Sequence, residues 1–428
     1  MERRMEKKQY DSYVKLLKEE LVPALGCTEP IALAYAAAKA REILGVFPDR
    51  AEVACSGNII KNVHSVKVPN SGGLKGVEAA VILGITGGDA GKELEVLKTV
   101  TEEDRRKARE LLECSYCKCI LKENVANLFV EVHVFSGKED VLVRLEDTHT
   151  NITRITRNGE TVWAKPDGRQ EEQEEAVQMN MRDIIAFARE VNLDEVRAVL
   201  DRQIQYNYEI SEEGLNHDWG VQIGRIIEEE KKDDIQWKAI ARAAAGSDAR
   251  MGGCPLPVII NCGSGNQGMT CSLPVIEYAR QTGKSHEQLL RALCISNLMT
   301  QHQKKYIGSL SAYCGVVCAA AGAGAGVTYL CGGTQKQIED TVINTIANVG
   351  GMVCDGAKAS CAAKVSSALQ AAFLGHSMAM RGIRFEEGDG IVMDENEETV
   401  KAAGYVGRAG MQQTDVEILN LMTGKVKL

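Results

Sequence analysis

Between Ser309 and Ala363 the chain is dominated by glycine and alanine, and no other stretch constrains its fold as strongly. Gly322, Gly324, Gly326, Gly332, Gly333, Gly350 and Gly351 fall inside it, with Cys314 near one end and Cys354 and Cys361 near the other. Glycines in such number let backbones approach one another, or a bulky inorganic group, and permit positive φ at turns. The longest apolar run, Ala312–Leu330, is broken by glycines and reads as a buried helix pair, although its length alone permits a membrane span. Three thiols on a small-residue scaffold suggest an iron–sulfur cluster with three protein ligands and one open iron.

The spacing can be tested against geometry. Cys354 and Cys361 are seven positions apart, and on one continuous helix their Cα atoms would be about 10 Å apart. That suits a compact cluster badly, so Gly356 is expected to break the helix, with Cys354 on a loop and Cys361 in the helix that follows. Cys314 and Cys318 lie one helical turn apart; Cys314 is preferred because Gly315 beside it allows close approach to the backbone. On spacing alone, small buried residues beside alanines explain the same pattern.

Composition narrows the class. The chain has 428 residues, 44% hydrophobic and 25% charged, enough for two domains and a substantial core. A net charge of −9 and the lack of a basic stripe argue against a nucleic-acid partner. The charged start, Met1–Lys8, runs into an amphipathic helix and has no apolar signal region, so a cytoplasmic protein with no membrane partner is expected. Of 14 cysteines, nine fall between Cys254 and Cys361 without the spacing of a disulfide framework. In a reducing compartment such thiols are core residues or ligands.

Taken in order, residues 10–25 read as an amphipathic helix ending at Gly26. In Gly26-Cys27-Thr28-Glu29-Pro30, Thr28 can cap a second helix, Ile31–Leu44. Cys27 then precedes a helix N-terminus, where the dipole favours its thiolate; a small buried corner residue is the bland alternative. Strands are expected at Glu52–Cys55, Cys117–Lys122, Asn127–Phe135 and Val141–Arg144, with helices at Ala79–Leu83 and Thr101–Leu112. The loops of this α+β unit hold Lys61-Asn62-Val63-His64, the turn Asn70-Ser71-Gly72-Gly73, and Glu146–Asn151 around His149. The glycine turn can present backbone N–H groups to a carboxylate, or be a surface hairpin. His149 can act as a base or an orienting donor, or be a plain strand-end histidine. Cys114, Cys117 and Cys119 lack the second pair that a zinc knuckle needs.

The acidic run Gln170–Glu175 reads as a linker or an exposed first turn. Beyond it the helical period dominates, at Ile184–Val191, Glu195–Gln203, Trp219–Glu228, Trp237–Ala245, His286–Met299, Lys336–Ala347 and Cys361–Met380. Within this half, Asn261-Cys262-Gly263-Ser264-Gly265-Asn266-Gln267-Gly268 joins an extended run, Pro257–Ile260, to a helix. Such a turn offers backbone and amide donors to an amino-acid carboxylate. It lacks the Lys-Ser/Thr ending of a phosphate loop.

Four of these motifs together, Gly26–Pro30, Cys262–Gly268, Ser311-Ala312-Tyr313-Cys314-Gly315 and Gly351-Met352-Val353-Cys354-Asp355-Gly356-Ala357-Lys358 with Cys361, resemble the L-cysteine desulfidase family, which is related to the α chain of iron–sulfur L-serine dehydratases. The resemblance covers nearly the whole chain. It implies an oxygen-sensitive [4Fe–4S] lyase that converts L-cysteine to pyruvate, ammonia and sulfide without pyridoxal phosphate. It implies Cys314, Cys354 and Cys361 as cluster ligands and Cys27 as catalytic base. Lys304 falls at a basic position of the family pattern, whereas Ser309 stands where an arginine is more usual. Iron–sulfur serine dehydratases can also place a C-terminal cysteine near the open iron; this chain ends Lys425-Val426-Lys427-Leu428, so self-ligation of that kind must come from elsewhere or not occur.

The expected architecture is therefore mixed: N-terminal helices over residues 1–48 packing on the catalytic domain, an inserted α+β domain over 49–168, and a mostly all-α iron–sulfur catalytic domain over 169–428. The expected substrate contacts are Asn70, Ser71, Gly72, Gly73, His149, Gly263, Ser264, Gly265, Asn266, Gln267 and Lys304, for a small amino acid. Rival readings are an iron–sulfur L-serine or L-threonine dehydratase, a pyridoxal-phosphate enzyme with Lys238 as Schiff-base lysine, and an iron–sulfur sensor or amino-acid-binding module. A homodimer is compatible with all of them.

Overall fold

The computed structural model describes residues 5–166, 179–231, 233–308 and 310–426. The acidic run Gln170–Glu175 and Ser309 lie outside them. The chain opens with α1 (Lys7–Glu20), a short strand β1 (Pro23–Leu25) and α2 (Thr28–Leu44). The first helix stops five residues earlier than the periodicity implied, because Pro23–Leu25 pairs antiparallel with a strand far along the chain. Gly26, at φ +60°, is then the turn from strand to helix and not a helix stop.

The α+β unit follows as β2 (Arg50–Cys55), α3 (Gly57–Val63), α4 (Val77–Gly87), α5 (Glu102–Glu113), β3 (Cys117–Leu121), β4 (Phe129–Ser136), β5 (Glu139–Glu146), β6 (Ile152–Arg157) and β7 (Glu160–Ala164). Its six strands run in the order β3-β2-β4-β5-β6-β7, with β2 and β3 parallel and the other neighbours antiparallel. Val130, Val132 and Val134 of β4 and Val141, Val143 and Leu145 of β5 turn one buried face towards α2 and α4. Two features depart from the sequence reading. Lys61-Asn62-Val63 closes a helix, where a loop was expected. The strands β6 and β7 were not expected at all; β7 is exposed along its whole length, so it carries no buried alternation to read.

The helical half comprises α6 (Met181–Glu190), α7 (Arg197–Asn216), α8 (Ile223–Lys231), α9 (Ile235–Gly252), β8 (Pro257–Ile259), α10 (Gly265–Gln281), α11 (His286–Ile307), α12 (Val316–Leu330), α13 (Gln335–Val349), α14 (Cys361–Ala379), α15 (Asn396–Tyr405) and α16 (Gln412–Met422). The strand β8 is the partner of β1 and stitches the N-terminus to this half. Two large cores result. The side chains of α1 join the helical core, whereas those of α2 join the core of the sheet. The architecture is mixed, mostly helical with an α/β part, as the sequence implied.

At the centre of the helical half is α12, a single helix and not the expected pair. Its glycines are spent on neighbouring helices. A Cβ on Gly322 would lie 2.4 Å from the Ser296 carbonyl oxygen of α11. On Gly326 it would lie 2.9 Å from Val275 of α10, and on Gly324 3.0 Å from Thr341 of α13. Helices packed this closely, at a backbone carbonyl on α11 and at side-chain methyls on α10 and α13, cannot separate without losing contacts along their length. No helix among the described residues is long and apolar enough to cross a membrane.

This packing makes a graded prediction. Gly322→Ala forces a methyl group into a backbone carbonyl and is expected to cost about 1–3 kcal/mol or more. Gly324→Ala meets a side-chain methyl that can yield and should cost less. Urea unfolding of the two variants should show a lower midpoint for Gly322→Ala; the reverse order would contradict the packing described.

Candidate functional site

The polypeptide brings the distant cysteines together with two backbone devices. Tyr313 and Val353 form an isolated antiparallel bridge, in which the Cys314 amide donates to Met352 O at 2.8 Å and the Cys354 amide to Ala312 O at 2.7 Å. Cys314 thus stands just before α12, and Cys354 on the loop before α14. Gly356 breaks the intervening chain at φ +94°, and α14 begins at Cys361. A Cβ on Gly356 would lie 2.7 Å from the Lys61 carbonyl oxygen, so only glycine allows this loop to seat against α3. The half-buried Lys358 ammonium adds to the seat by donating to the carbonyls of Lys61 and His64.

The three thiols face one cavity of about 640 Å³ between the two cores. Cys354 is held down to about 6, first because the Cys314 thiol donates to it and further by the cations of Lys61 and Lys364. Cys314, the donor of that pair, is pushed up. The pair therefore gives up its first proton readily. Burial pushes Cys361 up, against the Lys358 amide, which donates to its sulfur at 3.4 Å. All fourteen cysteines are free thiols.

Cys27 is the N-cap residue of α2, one position earlier than the Thr28 cap expected from sequence. Its chemistry also departs from expectation. Burial pushes its thiol up to about 12, with Arg250 and Lys358 opposing. The helix dipole was expected to favour the thiolate, but desolvation of a buried sulfur outweighs it. Its sulfur sits 4.0 Å from Met251 Sδ and packs beside Ala357 and Cys361, behind the cavity wall.

The turn ahead of α10 is tight. Asn261 and Ser264 exchange two backbone hydrogen bonds of 3.1 Å, with Cys262 at φ 49° and Gly263 at φ 71° between them. That is the geometry of a two-residue hairpin turn. Thr28 Oγ1 donates to Gly263 O at 2.9 Å, and Ser264 caps α10. Gly263, Ser264, Asn266 and Gln267 reach the cavity, as do His149 and Lys304. Gly265 instead lies under the Arg250 guanidinium, where a Cβ would fall 2.4 Å from Nε. Lys304 donates to Gly308 O and acts on the Cys262 and Cys318 thiols, drawing both downward against burial.

The Asn70–Gly73 turn does not reach the cavity. The Asn70 amide donates to Leu97 O at 2.8 Å, and its carbonyl groups accept from Arg105, so it clamps the chain ahead of α5. Ser71 is buried and donates to Leu74 O at 3.3 Å. Lys238, on α9, is also absent from the cavity wall.

Four polar groups in the cavity wall have no hydrogen-bond partner: Asn62 Oδ1, His149 Nε2, Gln267 Oε1, and both amide atoms of Gln301. They come from α3, the β5–β6 loop, α10 and α11, so both units contribute. Burial lowers His149, with Glu29 opposing and Arg250 adding to the shift, which leaves a neutral ring at pH 7. Asn62, Arg250, Gln301 and Glu29 had no role in the sequence reading. The signals were present: Arg250 follows the alanine-rich run of α9, and Gln301 lies in the polar run Thr300–Lys305 that follows the apolar centre of α11.

Among the described residues no three His, Cys, Asp or Glu side chains are gathered to hold one metal ion. The cysteines line a shared wall instead. A multi-iron cluster, whose ligands bind different irons, asks for that arrangement, with soft sulfur donors and nearby cations that favour thiolates.

Comparison with known proteins agrees with the extent of this architecture. The chain is 50% identical to a UPF0597 protein of Lachnoclostridium phytofermentans, covering 96% of this chain and 99% of the relative. It is 47% identical to a UPF0597 protein of Finegoldia magna, covering 97% and 100%, and 45% identical to one of Treponema denticola, covering 98% and 99%. Residues 91–420, which include every cysteine of the cavity wall, match the serine dehydratase alpha chain family, and the chain belongs to that family.

Proposed function

We propose that the protein is an iron–sulfur-dependent lyase that eliminates sulfide from L-cysteine. The observation that carries this reading is the meeting of Cys314, Cys354 and Cys361 on one wall of a cavity whose other walls present unpartnered polar groups. Membership of the serine dehydratase alpha chain family supports a lyase acting on a β-substituted amino acid. The three thiols would hold a [4Fe–4S] cluster, which when bound supplies a Lewis-acidic iron suited to a departing thiolate. The family name favours L-serine, with water as leaving group, as the second reading.

In the reaction, the Cα–H and Cβ–S bonds break and a Cα=Cβ bond forms, releasing hydrosulfide, a proton and 2-aminoacrylate. Addition of water then yields pyruvate and ammonium. The chain's own part is to seat the amino acid beside the thiol wall and accept the Cα proton. The resemblance noted above assigns that role to Cys27. The geometry favours His149 as a second reading, because its neutral ring presents a free Nε2 to the cavity whereas the Cys27 sulfur lies behind the wall. Gly263, Ser264, Asn266, Gln267 and Lys304 border the substrate. We assign the reaction to the cytoplasm of a cell that keeps its thiols reduced.

Protein purified and reconstituted without oxygen should be brown and form pyruvate and sulfide from L-cysteine in equal amounts. Cys314→Ala, Cys354→Ala and Cys361→Ala should each lower bound iron and abolish turnover; full iron content in any of them removes that residue as a ligand. Faster turnover of L-serine than of L-cysteine would select the second substrate.

A separate measurement assigns the base. Removing a general base lowers kcat by about 10²–10⁴-fold. Cys27→Ala and His149→Gln are compared for kcat and for exchange of the Cα hydrogen into deuterated water, at equal iron content. The variant that loses exchange identifies the base, and retained exchange with full kcat in Cys27→Ala would exclude Cys27.

A further inference from the structure

Two charged groups of the cavity wall, Arg250 and Glu29, have no task in the reading above. Arg250 is only 4% exposed, and among the described residues it forms no ion pair. Its Nε donates to Gly26 O at 3.0 Å, and its guanidinium lies against Gly265 at the start of α10, where that helix presents unpaired N–H groups. A buried guanidinium beside a helix N-terminus is a doubly positive place, and desolvating it without an anion is costly. The second group is Glu29. Its carboxylate accepts from Asn62 Nδ2 at 3.1 Å and lies 3.2 Å from Thr28 Oγ1, the hydroxyl that donates to Gly263 O. Holding Asn62 by its amide nitrogen leaves Asn62 Oδ1, an acceptor in a side chain only 6% exposed, without a partner in the same wall. Both groups line the same cavity, together with His149.

We propose that these groups form the two poles of a zwitterion subsite. Arg250, with the N-terminus of α10, receives the α-carboxylate; Glu29, with Asn62 Oδ1, receives the α-ammonium. The unpartnered Gln267 and Gln301, each 7% exposed, supply the remaining polar contacts between the poles. The substrate class is then a small α-amino acid with both groups free. Peptides, N-acyl amino acids and amino-acid esters lack one pole and leave a buried charge unpaired. The inference deepens the lyase reading and rests on its assignment of this cavity to the substrate.

The test is calorimetric binding to the full chain, prepared without oxygen, of L-alanine, propionate and ethylamine, none of which can undergo the elimination. In the native protein L-alanine should bind more tightly than either single-pole compound, by about 30-fold or more. Glu29→Gln should bring L-alanine to the level of propionate and leave propionate unchanged. Arg250→Lys should weaken L-alanine and propionate and leave ethylamine unchanged. Equal binding of L-alanine and propionate by the native protein overturns the proposal, as does a loss of propionate binding in Glu29→Gln. Should Arg250→Lys fail to fold, the comparison of ligands on the native protein still decides. The expected pattern without pyruvate from cysteine or serine defeats the lyase reading and keeps the subsite. Pyruvate formation with no discrimination among the three compounds does the opposite.

Discussion

The contact on which the rest depends is helix against helix at backbone distance around α12. Gly322 abuts the Ser296 carbonyl, and Gly326 sits between the Val275 side chain and the Ala292 carbonyl, so α11 meets α12 at backbone carbonyls and α10 packs directly on its surface. Everything at the helix's leading end inherits that rigidity. Cys314 precedes it by two residues, Gly315 lies against Gln267, and the bridge from Tyr313 to Val353 carries the constraint across to Cys354. The glycines thus serve the site indirectly. They fix backbones in register, and the backbones fix the sulfurs.

The same rigidity explains why the site can keep polar groups unpaired. An unsatisfied buried donor or acceptor costs about 1–3 kcal/mol, and a flexible wall would relax to pair it. Here Asn62, Gln267 and Gln301 stand on three helices whose positions are set elsewhere: by Gly356 and Lys358 against α3, by the hairpin turn and Thr28 at α10, and by α12 against α11. The cost is offset when a ligand with matching groups enters. Preorganised polar groups of this kind also favour reaction, since they need not reorient as charge moves.

How much of this was legible in the sequence depended on which force decided each feature. The α/β unit's inner strands β2, β4 and β5 alternate because one face is buried, and the alternation reads directly. The edge strand β7 is exposed on both faces and left no such trace. The break at Gly356 followed from the seven-residue spacing of two thiols. Cys27 shows the limit of local reasoning. Its place at the start of α2 was read correctly, and a helix dipole contributes about 0.3–1 kcal/mol, up to ~2 in favourable sites. Burying an ion costs several kcal/mol. Burial is a property of the folded environment, supplied here by Met251, Val66 and Ala357 from other elements, and no window around Cys27 contains it. The Asn70–Gly73 turn failed for the converse reason. Its backbone N–H groups were read as a carboxylate seat, but the Asn70 side-chain amide binds the carbonyls of Leu97 and Val100 and holds the turn against the chain ahead of α5, away from the cavity.

The division of labour between the two units follows from where each kind of residue can be afforded. The thiols lie on the helical half, where small-residue packing holds a loop and two helix starts without strain on the sheet. Glu29 and Asn62 come from elements that pack on the sheet, and His149 from a loop between two of its strands. Thiols and polar groups from the two units meet in one cavity, and Asn62 Oδ1 lies close to the Gly356 loop that carries Cys354. A thiolate beside Glu29 would meet like charge, whereas beside Lys61, Lys364 and Arg250 it meets cations. The same small volume therefore combines cations near the thiols with acceptors such as the Glu29 carboxylate and Asn62 Oδ1.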